Sequence, residues 1–139
     1  MHDKDCIFCK IIAGDIPSFK LFEDNRTLAF MDINPANPGH ALIIPKYHAT
    51  GLLDLPAEWL GDSITTAQKV AQGVSRALSP DGINLVQANG EGAAQSVRHF
   101  HLHVIPRRLG DELKLNWGIK PGDMGEIGQT AERVRAAMG

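Results

Sequence analysis

The sequence predicts one α+β domain built on a five-stranded, mainly antiparallel sheet with one long helix and a C-terminal helix. Three observations lead there. Five short apolar runs alternate with turn-type connections, and one long stretch repeats its apolar residues at threes and fours. The 139 residues, 43% of them apolar and 22% charged, suit a single domain over 1–139 with one real core.

From Cys6 to Ile12 the apolar residues Ile7, Phe8, Ile11 and Ile12 have short helical spacing, which Gly14 and Pro17 end. Phe19–Phe22 and Thr27–Met31 read as strands joined by the hairpin turn Glu23-Asp24-Asn25-Arg26. A turn-rich loop, Asn34-Pro35-Ala36-Asn37-Pro38-Gly39, precedes a third strand, His40–Ile44. Pro56 to Leu78 is a helix on the spacing of Leu60, Ile64, Ala67, Val70, Ala71, Val74 and Leu78, and Ser79-Pro80-Asp81-Gly82 stops it. Ile83–Gln87 and His99–Ile105 complete the strands, and Ile127, Ala131, Val134 and Met138 mark the C-terminal helix.

A formal net charge of −2 leaves no basic footprint for nonspecific nucleic-acid binding. No apolar run reads as a signal peptide or membrane span, so the expected setting is cytoplasmic, with neither nucleic acid nor membrane as partner. Both cysteines, Cys6 and Cys9, stand in a C-x-x-C with no strand before it. That context favours a metal half-site over a thioredoxin-like redox pair, with two merely buried thiols as the plain alternative.

The chemistry concentrates in His99-Phe100-His101-Leu102-His103. Strand alternation puts the three histidines on one face and Phe100, Leu102 and Val104 on an apolar face that must meet the core. Adjacent members of the triplet are about 6.6 Å apart along a strand and the outer pair about 13 Å, so one ion cannot easily collect all three. A division of labour fits better, in which one imidazole faces a reacting atom and its neighbours orient it or touch substrate. Neutral imidazole is available near pH 7 and is a competent nucleophile at phosphorus. Just upstream, Asn89-Gly90-Glu91-Gly92-Ala93-Ala94-Gln95-Ser96 offers backbone N–H groups, an amide and a hydroxyl able to cradle phosphate.

These residues resemble the histidine triad (HIT) family. His99 to Ile105 matches its signature, Phe30 to Pro35 with Gly39 to Lys46 looks like its nucleotide-pocket segment, and Asn89 to Ser96 looks like its phosphate loop. The resemblance implies a HIT-like fold and a hydrolase or transferase acting at the α-phosphate of dinucleoside polyphosphates or nucleoside 5′-phosphoramidates. By position, His101 would be the nucleophile of a covalent nucleotidyl-histidine and His103 would contact the α-phosphate. His40 would bond within the triad and help orient it. Asn89, Gln95 and Ser96 would bind phosphate or assist the leaving group, and Asp32 would hold the ribose hydroxyls. Ile16, Phe30, Ile33 and Leu42 would line the pocket for a purine base.

Similarity to bacterial members also implies a structural zinc on Cys6, Cys9, His48 and His99, two thiolates and two imidazoles closing a tetrahedron away from the chemistry. His99 would then serve both as ligand and as orienting neighbour of His101, and no catalytic metal or organic cofactor is expected. Arg107 and Arg108 would either meet distal phosphates or form a solvated strand end. His2 reads as surface or tail. A homodimer with joined sheets is a further implication of the resemblance. Two other functions stay open: a nucleotide-binding regulatory module with incidental turnover, and a metalloenzyme that activates water through H-x-H.

Overall fold

A computed structural model describes residues 2–139 of the protein. Helix α1 (Ile7–Ala13) is followed by β1 (Lys20–Glu23), β2 (Thr27–Met31), β3 (Ala41–Pro45), α2 (Glu58–Leu78), β4 (Gly82–Val86), β5 (Leu102–Arg107) and α3 (Met124–Met138). The five strands form one antiparallel sheet in the order β1-β2-β3-β5-β4. Helix α2 carries the chain from β3 to the β4 edge, and β5 returns to the interior of the sheet. The α+β architecture expected from the sequence is the observed one.

Apolar alternation explains the layers. Ala29, Ala41, Ile43, Phe100, Leu102 and Val104 meet Ala67, Val70 and Val74 of α2. Leu28, Phe30, Leu42 and Ile44 point the other way and meet Cys6, Phe8 and Cys9 at the start of α1. Leu28, Ile43 and Ile44 are fully buried, each worth roughly 1.5–3 kcal/mol of transfer free energy. Between β2 and α2 the buried Thr27 and Thr66 hydroxyls bond each other at 2.7 Å, so neither is left unpaired.

Helix α1 covers the His99 and His101 end of the histidine face, and both of those rings are buried. The expected start of the last strand needs correction, because β5 begins at Leu102 instead of His99. The ladder cannot start earlier, since the backbone groups it needs are taken. Phe100 N–H donates to the Ala49 carbonyl, the His99 carbonyl accepts from the His101 ring, and the Pro45 carbonyl accepts from the His99 ring. Pro45 itself has no N–H to offer.

Helix α3 forms as expected, with Asp123 as N-cap accepting from Glu126 N–H at 2.9 Å. Its apolar stripe stays outside the core: Ile127, Val134 and Met138 are exposed, as are Trp117 and Ile119 before it. No helix among the described residues is long and apolar enough to cross a membrane. His2 is exposed.

Candidate active site and metal cluster

Pairing register builds the floor of the site. Phe30, Leu42 and His103 occupy one cross-strand row, through Phe30↔Leu42 and Leu42↔His103. Asp32 and His40 extend the same face by one strand repeat, held together by Asp32 N–H donating to the His40 carbonyl at 3.0 Å. His101 lies beside His103 with ring centroids 4.8 Å apart.

Hydrogen bonds assign the protons. A carbonyl only accepts, so the 2.7 Å contact from His101 Nδ1 to the His99 carbonyl puts the proton on Nδ1. His101 Nε2 is then the basic nitrogen, with no intramolecular hydrogen bond among the described residues. Ala36 N–H donates to His40 Nδ1 at 2.9 Å, so neutral His40 carries its proton on Nε2. That nitrogen lies 2.8 Å from His103 Nδ1, which must accept, and neutral His103 therefore holds its own proton on Nε2. The site thus presents one bare nitrogen and one N–H.

Burial keeps these rings neutral. It pushes His101 below the ordinary imidazole value despite the backbone bond and the Asp32 charge. Burial, with the neighbouring His101 and His40, brings His103 down to about 4. His40 is lowered by burial, which outweighs the Asp32 carboxylate 3.4 Å from its Nε2. Asp32, His40 and His103 could superficially pass for metal ligands. The His40–His103 hydrogen bond, fixed in direction by Ala36, already occupies one nitrogen of each ring.

The other predicted residues are placed as follows. Phe30 and Leu42 are buried in the floor, Ile16 is half-buried, and Ile33 is 75% exposed. Asn89 and Gln87 exchange amide bonds, and Asn89 Oδ1 also accepts from Leu52 N–H at 2.7 Å. The Gln95 amide is wholly committed to backbone: it accepts from Gly90 and donates to the Thr50 and Val97 carbonyls. It clamps the loop. Ser96 is exposed in a cleft with Thr50, Val97 and Arg98.

Arg107 is half-buried and Arg108 exposed, and both are bonded within the protein. Arg107 makes a bidentate pair with Asp111 and also bonds Asn84 Oδ1 and the Leu113 carbonyl, while Arg108 caps α2 at the Leu78 and Ser79 carbonyls. Every fork is engaged within the protein. Phe8 was not singled out as a site residue from the sequence. Its ring meets His101 edge-on at 5.2 Å and Phe30 at 5.6 Å, closing the back of the His101 ring. Its helical spacing marked it as apolar, but which wall it would cover depends on where α1 docks.

Cys6, Cys9, His48 and His99 converge a few ångströms away. His99 Nε2 donates to the Pro45 carbonyl at 2.9 Å, so its bare Nδ1 faces the cluster. From that Nδ1 the distances are 3.4 Å to Cys6 Sγ, 3.7 Å to Cys9 Sγ and 3.2 Å to His48 Nδ1, and Cys9 Sγ lies 3.5 Å from His48 Nδ1. Tetrahedral zinc with ordinary Zn–S and Zn–N bonds requires about 3.6 Å between sulfur and nitrogen and about 3.3 Å between nitrogens. The donor set fits zinc. Asp3, 3.6 Å from His48 Nε2, stands where an outer carboxylate orients a ligand imidazole.

Comparison with known proteins agrees with this geometry. The family model described as HIT domain matches residues 13–110, a span that holds the triad and leaves out Cys6 and Cys9. Adenosine 5′-monophosphoramidase HNT1 of Saccharomyces cerevisiae is 43% identical over 139 residues, covering 98% of this chain and 84% of its own. The crystal structure of SMU.412c from Streptococcus mutans superposes with a TM-score of 0.93 at 38% identity, covering 99% of this chain and 87% of that one. A Zn-bound histidine triad family protein from Mycobacterium smegmatis gives a TM-score of 0.75 at 36% identity, covering 96% and 95%.

Proposed function

The chain belongs to the HIT domain family, and on that premise we propose that it hydrolyses nucleotides at the α-phosphate through a nucleotidyl-His101 intermediate. The carrying observation is the His101 tautomer: the His99 carbonyl holds Nδ1–H and leaves Nε2 free to attack. His101 Nε2 bonds to the α-phosphorus of a nucleoside 5′-phosphoramidate, or of a dinucleoside polyphosphate. The bond to the leaving amine or phosphate breaks with its electron pair, and that group takes the Nε2 proton of His103. Water then attacks phosphorus, the bond to His101 breaks with its pair returning to Nε2, and the water's proton restores His103. His40 keeps His103 in the donating tautomer throughout.

The purine rests on Phe30 and Leu42, with Ile16 and Ile33 at its margin, and Asp32 accepts from the ribose hydroxyls. Ser96 and the backbone of the loop clamped by Gln95 and Asn89 hold the phosphate. Cys6, Cys9, His48 and His99 hold a structural zinc, which ties α1 to the sheet and braces the His99 carbonyl. Such thiolates persist in a reducing compartment, so we place the chain in the cytoplasm. Two copies pair through the β4 edge, where Leu85 and the neighbouring Ile64 of α2 are exposed.

Steady-state hydrolysis of adenosine 5′-monophosphoramidate beside a diadenosine polyphosphate tests the reading. Turnover of either that disappears in H101A supports it. Nucleotide binding with no turnover of either would replace it with a binding module.

A further inference from the structure

The turn that precedes His40 is held from outside by an anchor with no part in the chemistry described so far. Asn37 Nδ2 donates to the Pro106 carbonyl at 2.9 Å and to Asp111 Oδ2 at 3.0 Å. Asp111 is fixed in turn by both arms of Arg107 and by Arg108 N–H at 2.9 Å. Arg107 reaches on to Asn84 of β4 and the Leu113 carbonyl, so the anchor stands on the sheet edge and the start of the C-terminal segment. Beyond the anchor, the Asn37 carbonyl accepts from His40 N–H at 3.1 Å, and the adjacent Ala36 N–H donates to His40 Nδ1 at 2.9 Å.

We propose that Asn37 and Asp111 are positioning residues that fix the Ala36–His40 turn and so select the His40 tautomer on which His103 depends. This rests on the hydrolase reading. The logic follows the proton. With Ala36 N–H in place, His40 must donate from Nε2, and His103 keeps its proton on the nitrogen open to substrate. Release the turn and His40 can carry its proton on Nδ1, opposed by Asp32 Oδ2, which lies 3.4 Å from Nε2. His103 Nδ1–H then donates to His40, and His103 Nε2 is left bare, with no proton for a leaving group. Within the turn Pro35 and Pro38 offer no backbone N–H, and the other holds lie at its ends, where Asn34 N–H donates to Asp32 Oδ1 at 2.8 Å and Asp32 N–H to the His40 carbonyl at 3.0 Å. The guanidinium of Arg107 keeps the Asp111 carboxyl well below the usual carboxylate range, so the acceptor for Asn37 stays charged.

The test compares wild type with N37A and N37D, both of which remove the Asn37 donors. The reading is nitrogen-15 NMR of the His40 ring in the substrate-free chain, together with kcat and KM on adenosine 5′-monophosphoramidate. In wild type His40 Nδ1 should appear bare and Nε2 protonated. In the variants the two should average, kcat should fall by about tenfold or more, and KM should stay within about twofold. A variant with the wild-type tautomer and wild-type kcat overturns the proposal. So does failure of both variants to fold, which would make the anchor merely structural. If wild type turns over no phosphoramidate, the hydrolase reading fails, while the tautomer comparison still decides whether Asn37 sets the His40 proton.

Discussion

The His101 ring is bonded through Nδ1 to the backbone carbonyl of His99 at 2.7 Å, while the His99 ring turns away to the cysteine cluster. One residue therefore serves two sites through different atoms. Its carbonyl sets the tautomer of the neighbour, and its imidazole offers Nδ1 to a metal. Replacing His101 should then remove chemistry without removing the fold. H101N should lower kcat by about a thousandfold or more while its urea midpoint stays near that of wild type. Parallel kinetics and denaturation check both halves of that statement.

Metal removal should act on stability first. The cluster joins α1 to the sheet, and a metal that binds only the folded chain adds about 2.7 kcal/mol at a hundred times its Kd. A strong chelator, or C9S, should lower Tm by on the order of 5–10 °C and abolish stoichiometric zinc. Burial raises the Cys9 thiol, so zinc uptake should release protons and weaken as the pH falls. Elemental analysis and thermal melts are the readouts. Activity should fall in step with the folded fraction.

Acid should destabilise the protein through its buried histidines. In the fold His103 is brought down to about 4 and His40 is also lowered, burial being the first cause of each. In the unfolded chain both titrate near 6.5. The unfolded state thus binds more protons between those values, so stability falls as the pH drops through that range. It should be fully present above about pH 6.5 and decline from that point toward 4. Urea midpoints between pH 7.5 and 5 measure the slope, which H103Q should flatten.

Gly39 is required by its backbone and by its surroundings. Its φ is +93°, and a Cβ there would run into Leu78 Cδ1 and meet Pro106 Cγ at 3.0 Å. G39A should cost about 2–4 kcal/mol, combining left-handed strain with overpacking. A urea midpoint unchanged from wild type would contradict that account.

Much of this was legible from alternation and spacing. Thr27–Met31 matches its expected bounds, and the apolar row Phe100, Leu102, Val104 lies in the core as expected, where it meets α2. What escaped depended on contacts distant in sequence. The start of β5 is set by the Ala49 and Pro45 carbonyls, neither of which the local pattern of His99 to Ile105 can register. His99 and His101 are buried because α1 docks over them, and a seven-residue helix carries no signal for where it docks. Arg107 and Arg108 looked free because their partners, Asp111 aside, lie on β4, on α2 and in the C-terminal segment.

The central claim is that His101 becomes covalently attached to the nucleotide. Wild type mixed with an adenosine 5′-monophosphoramidate labelled at phosphorus, quenched in alkali within the first turnover and digested, tests it directly. The label should sit on His101 alone and be missing from H101A. Label on another residue, or none despite rapid turnover, would contradict the account.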